Sequence, residues 1–128
     1  MARIGRIGTG IAAAAMVSMT AAAPGLTQNR QPGEMRCGWY HNPTPGNHML
    51  YDRHGRWILG SQGLRQTPGM DRLPDMTTNG WVRTNGYYGY GCGCVRMATR
   101  RGEVVRIYSG RPVPLRQCRN DRTLPSPE

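Results

Sequence analysis

Gly86-Tyr87-Tyr88-Gly89-Tyr90-Gly91-Cys92-Gly93-Cys94-Val95 is the stretch on which the fold turns. Cys92 and Cys94 stand two apart, so in an extended strand both sulfurs leave the same face. Their neighbours are mostly glycine, which lets another segment approach closely, and tyrosine, which offers broad apolar area with a polar tip. Two further cysteines exist, Cys37 upstream and Cys118 downstream. The economical reading ties each of them back to this middle strand.

Four cysteines allow three pairings. Joining Cys92 to Cys94 is disfavoured, because side chains two apart on a strand run side by side near the limit of disulfide reach. Cys37–Cys92 with Cys94–Cys118, and Cys37–Cys94 with Cys92–Cys118, remain equally open. A four-thiolate zinc site is the competing reading. The Cys-Gly-Cys spacing is tighter than structural zinc pairs use, so no metal is expected.

The ends of the chain bear on the compartment. Arg3 and Arg6 precede a small apolar run, Ile11 to Met19, followed by Thr20-Ala21-Ala22-Ala23-Pro24. This order reads as a secretory signal peptide over residues 1–22, cleaved after Ala22. The apolar run is too short for a membrane anchor, so contact with the membrane is expected only through the transient signal peptide. The expected location is periplasmic or secreted, where paired cysteines are at home.

Cleavage leaves 106 residues, enough for one small domain. It also lowers the formal charge from +10 to +8, all of the positive charge being arginine. Such a balance favours partners with acidic surfaces. The arginines are scattered, and neither a zinc-finger nor a helix-turn-helix pattern is present, so no nucleic-acid partner is expected.

Residues 23–34 are rich in polar residues, Pro and Gly and read as a flexible lead-in; residues 35–124 form the single domain and 125–128 a tail. Met35 to Tyr40 reads as a strand with Cys37 and Trp39 on one face. His41-Asn42-Pro43-Thr44-Pro45-Gly46-Asn47 then reads as a stiff loop of one shape. His48–Asp52 and Arg56–Leu59 flank a turn in which Gly55 needs positive φ. Gly60 to Thr78 lacks periodicity beyond one short helical turn near Met70–Leu73, and its length suggests an Ω-loop. Trp81–Arg83 is a short strand, Tyr88–Ala98 the central one, and Glu103–Ser109 its hairpin partner across a four-residue turn, Thr99–Gly102. Arg111-Pro112-Val113-Pro114-Leu115 suits a sheet edge. The expected fold is mainly β: a small antiparallel sheet or partly open barrel-like domain with long loops, stabilised by two disulfides.

Asn42, Thr44, Asn47, Asp52, Asn85, Tyr88 and Tyr90 are the binding candidates, set against the plainer reading in which the asparagines hold their own turns. His41, His48 and His54 match no metal-ligand spacing. Asp71 and Asp75 are separated by Pro74, and the serines lack an activating motif, so no catalytic residues and no cofactor are assigned and the chain reads away from an enzyme.

Cys37-Gly38-Trp39, the Asn42–Asn47 run, Asp52, Gly55, Trp57-Ile58, Asn85-Gly86, Tyr88–Cys94 and Cys118-Arg119-Asn120-Asp121 together resemble DUF4087, a family of small bacterial exported domains of unknown function. The resemblance spans residues 35–124 and implies export and a small disulfide-linked domain. It implies no activity. Where the family pattern carries an acidic residue ahead of the Asn-Pro run, this chain has His41. The leading expectation is a protein-binding or inhibitor-like module of the cell envelope, with an envelope or foreign protein as partner. A glycan or cell-wall fragment binder is the alternative, and an envelope hydrolase is a third.

Overall fold

The computed structural model describes residues 5, 8–22 and 31–127. Part of the expected signal peptide, most of the expected lead-in (23–30) and Glu128 lie outside the described residues. Residues 8–22 are exposed and carry neither helix nor strand. Among the described residues no helix is long and apolar enough to cross a membrane.

Six antiparallel strands make one sheet: β1 (Glu34–Thr44), β2 (Asn47–Asp52), β3 (Gly55–Gly60), β4 (Trp81–Asn85), β5 (Tyr88–Arg100) and β6 (Glu103–Val113). The stretch read first becomes the start of β5, which takes β1 along one edge. Its other edge is divided, β4 pairing with Tyr88–Gly91 and β6 with Cys92–Arg100. The order is β3-β2-β1-β5-β4, with β6 continuing the β4 side. A short helix, α1 (Leu115–Arg119), follows β6 and carries Cys118. It was not foreseen, since five residues give a periodic pattern no room to show itself.

Alternation along the strands buries two faces. Tyr40, Leu50, Leu59, Met76, Val95, Met97 and Ile107 pack on one. Trp39, Tyr90, Cys92, Cys94, Val113 and Cys118 pack on the other. Both sulfurs of β5 share this second face, as period two requires. The bonds formed are Cys37–Cys94 and Cys92–Cys118. Strand register makes the choice: Cys37 lies directly opposite Cys94, and Trp39 opposite Cys92.

The alternate positions of β5 are glycines on the first face, and they admit close neighbours. A Cβ on Gly91 would lie 2.9 Å from the Trp81 ring, and one on Gly93 2.6 Å from the Met76 methyl. Trp81 stands opposite Gly91 in the register, so its indole covers the backbone that the glycine leaves bare.

The turns are tighter than the sequence reading has them. β1 continues through Asn42-Pro43-Thr44 as strand, with a register irregularity between His41 and Thr44, and only Pro45-Gly46 turns the chain. The irregularity accommodates Pro43, which has no N–H to offer a regular ladder. The segment after β3 returns to the sheet, which stays open. Thr67 N donates to Leu59 O at 3.3 Å, and Ile107 N donates to Pro68 O at 2.8 Å, bridging β3 to β6.

Arg101-Gly102 alone connects β5 to β6, Arg100 pairing with Glu103. Both turn residues have positive φ, 51° at Arg101 and 79° at Gly102, a conformation asparagine tolerates better than arginine at the first position. Arg101→Asn is expected to raise stability by roughly 0.5–1 kcal/mol, read as a higher urea midpoint at unchanged slope. A lower midpoint would mean that Arg101 makes a contact worth more than the turn strain.

Candidate functional site

Three of the candidate residues gather at the β1–β2 tip, where they bond to one another's backbone. Asn42 Nδ2 donates to Thr44 O at 2.9 Å and to Asn47 O at 2.7 Å. Asn47 Nδ2 donates to Thr44 Oγ1 at 2.5 Å, while Asn47 Oδ1 accepts from Gln62 N at 2.8 Å. Gln66 Nε2 adds a bond to Ser61 O at 3.0 Å and a longer one to Gly46 O at 3.4 Å. Asn85 Nδ2 reaches Pro43 O at 3.5 Å from the β4–β5 turn. The tip is thus held in one shape by side chains from three segments.

Asp52 lies at the far end of β2 and is 5% exposed. Its Oδ1 accepts from Trp57 Nε1 at 2.9 Å and His54 N at 2.8 Å, and its Oδ2 from Arg36 Nη1 at 3.1 Å. Arg36 also bonds Glu34 and stacks 4.1 Å from the Trp57 ring centroid. Burial pushes the Asp52 carboxyl pKa up; the Trp57, His54 and Arg36 hydrogen bonds and the Arg36 charge outweigh it and hold the group below its ordinary value. The arrangement ties β1, β2 and β3 together.

Tyr90 is buried on the disulfide face, edge-on to Trp39 at 5.5 Å and stacked on His41 at 5.4 Å. His41 in turn meets Tyr51 at 4.7 Å. Tyr88 is half-buried opposite Asn85. The sequence candidates therefore occupy the hairpin tip, the far end of β2 and the disulfide face, and do not share one cleft. On the disulfide face Trp39 Nε1 donates to Pro125 O at 3.1 Å, so Pro125 lies against this face.

A concave site forms beside Asn42, around residues that the sequence reading did not group with it. On the face opposite the disulfides, Tyr40 OH and His48 Nδ1 lie 2.7 Å apart. They line a recess of about 250 Å³ with Trp81, Met76, Asp75 and Asn42. Burial pushes the Tyr40 phenol well above its ordinary pKa and pulls the His48 imidazole down. Both groups are therefore neutral near pH 7. With the Tyr40 phenol as donor to Nδ1, the imidazole proton sits on Nε2 and faces away from this contact. The signal that points here is the pair Gly91 and Gly93, whose missing side chains leave room for Trp81 and Met76.

His41 is also lowered by burial. The folded chain refuses two protons that the unfolded chain accepts near pH 6.5. Stability from this source is complete above that value and declines as pH falls through it. Urea midpoints are expected to drop between pH 7.5 and 5, by less in a His41→Gln/His48→Asn variant. An equal drop in that variant would assign the effect to other groups.

Among the described residues no three His, Cys, Asp or Glu side chains gather in a metal-holding group. Arg36 is the only described arginine in a salt bridge with a described carboxylate. The other described arginines stand outside salt bridges with described carboxylates.

The geometry defines a small antiparallel β domain, pinned by two disulfides across its central strand and bearing a locked hairpin tip beside an aromatic recess. The sequence profile of DUF4087, described as a protein of unknown function, matches residues 31–125, and the chain belongs to that family. Nothing matches among curated proteins or among solved structures.

Proposed function

We propose that the chain is an exported binding module of the cell envelope, periplasmic or secreted after loss of residues 1–22, that presents its β1–β2 tip to a protein partner with an acidic surface. The observation that carries this reading is the locked tip. Asn42, Asn47 and Gln66 fix Thr44-Pro45-Gly46 in place before any partner arrives. A preorganised loop loses little conformational entropy on association, so more of its contact energy appears as affinity. The unpaired arginines supply the charge that attracts an acidic surface and speeds encounter. The two disulfides fit an oxidising, non-cytoplasmic compartment.

The test is affinity capture of a partner from envelope extract at physiological salt, comparing the wild type with Asn47→Ala. That substitution removes the bonds to Thr44 and Gln62 at a half-buried position. A partner held about tenfold more weakly by the variant, at unchanged circular dichroism, supports the reading. Equal retention by both proteins refutes the role of the tip. A native N-terminus at Met1, found by mass spectrometry, refutes export by cleavage.

A further inference from the structure

We propose that the recess beside Trp81 binds a single N-acetylated amino-sugar ring, a ligand separate from the protein partner of the hairpin tip. The recess offers a complementary group to each part of such a ring. Trp81 is half-buried and borders both this recess and a neighbouring one of about 230 Å³. Its indole N–H is already engaged with Tyr87 O at 3.0 Å, so the ring system is held still. A fixed aromatic surface suits the C–H face of a pyranose, which is apolar and flat.

The polar groups match an acetamido substituent. His48 Nε2 has no partner among the described residues and is not sealed from solvent, and in the tautomer where Tyr40 donates to Nδ1 it carries the ring proton. It is a donor for a carbonyl oxygen. Asn42 Oδ1 accepts no hydrogen bond among the described residues, since both bonds of that side chain come from Nδ2. It is an acceptor for an amide N–H. Leu73 and Met76 form an apolar wall against which the methyl group can lie.

The rim decides against an anionic sugar at this position. Asp75 lines the recess and is in no salt bridge among the described residues. Its Oδ1 receives Thr77 N and Oγ1 at 3.0 and 2.6 Å, which leaves Oδ2 as an acceptor for a sugar hydroxyl. A carboxylate there repels a second one, while its free oxygen suits a sugar hydroxyl. The neighbouring recess shares Trp81 and Thr77 and adds Tyr87 with the Arg83 guanidinium 4.7 Å over its ring. That side leads outward, where the next unit of a glycan chain can continue.

The experiment titrates the disulfide-bonded protein with N-acetylglucosamine and glucose, following indole N–H resonances by NMR. Saturable shifts at the Trp81 indole, with N-acetylglucosamine binding in the low millimolar range typical of one small ring, are the expected result. Glucose, which lacks the acetamido group, should bind at least about tenfold more weakly. His48→Asn keeps an acceptor for Tyr40 and removes the outer N–H. It should retain the fold, seen in unchanged dispersion of the Trp39 and Trp57 indole signals, and weaken N-acetylglucosamine about tenfold. No shift at Trp81 up to about 50 mM sugar overturns the proposal. So do equal affinities for glucose and N-acetylglucosamine, or unchanged binding by His48→Asn. None of these sugar measurements depends on a protein partner being found, so they leave the role of the hairpin tip to its own test.

Discussion

Cys94→Ser is expected to remove about 4 kcal/mol of stability, by the chain-entropy estimate for a link spanning the 57 residues from Cys37. The bond ties β1 to β5 at directly opposed positions, on a face where Cys94 has no exposed surface. Breaking it frees the unfolded chain and leaves two polar thiol or hydroxyl groups inside the disulfide face. Cys118→Ser opens a link of 26 residues and should cost slightly less, about 3.5 kcal/mol on the same estimate. Domains of this size have only about 5–15 kcal/mol in hand, so either loss is a large fraction of the total. Urea unfolding of the two variants beside the wild type measures both. A midpoint for Cys94→Ser matching that of the wild type would show that the register, and not the bond, holds the strands together.

Asp52→Ala is expected to cost about 3–5 kcal/mol, the usual penalty for removing one partner of a buried ion pair. The substitution leaves Trp57 Nε1 and the His54 amide without their acceptor, and it leaves Arg36 inside the fold with only Glu34. Arg36 Nε is already buried without a partner, so the site has no spare acceptor to offer. Asp52→Asn keeps the shape and the acceptor oxygen and should cost less. The pH dependence separates the two contributions. The folded carboxyl is held below its unfolded value, so its stabilisation is present above about pH 4 and is lost as pH falls through that region. The wild type should lose more stability than Asp52→Asn between pH 5 and about pH 2.5. Parallel acid curves for the two proteins would place the acid-sensitive group elsewhere.

These two sites differ in how much of them could be read beforehand. The cysteine spacing made it plain that both sulfurs of β5 share a face and are drawn to the two distant partners. It could not say which partner takes which. Sliding β1 by two residues against β5 exchanges the pairings and still keeps every side chain on its proper face, because the repeat of a strand is two. Asp52 was read as a binding candidate, and its partners Arg36 and Trp57 come from the strands on either side. The asparagines of the tip were legible as turn-holding residues, since those bonds are local. Gln62 and Gln66 joined them from a segment whose own pattern says nothing about where it returns.

What the chain determines by itself is whatever acts over a few residues. That includes the alternation which puts Trp39 with the cysteines, the Arg53-His54 turn before Gly55 and the stiffness around Pro43 and Pro45. The family membership also follows from such local runs. What only the tertiary structure decided is the meeting of distant segments: the Cys37–Cys94 register, the stitching of β3 to β6 through Thr67 and Pro68, and the recess of Tyr40, His48, Trp81 and Asp75. The reason is physical. Contacts of that kind are chosen by the packing of the whole sheet, and the free energy that selects one register over its neighbour is spread across many side chains, none of which carries the answer in its own sequence surroundings.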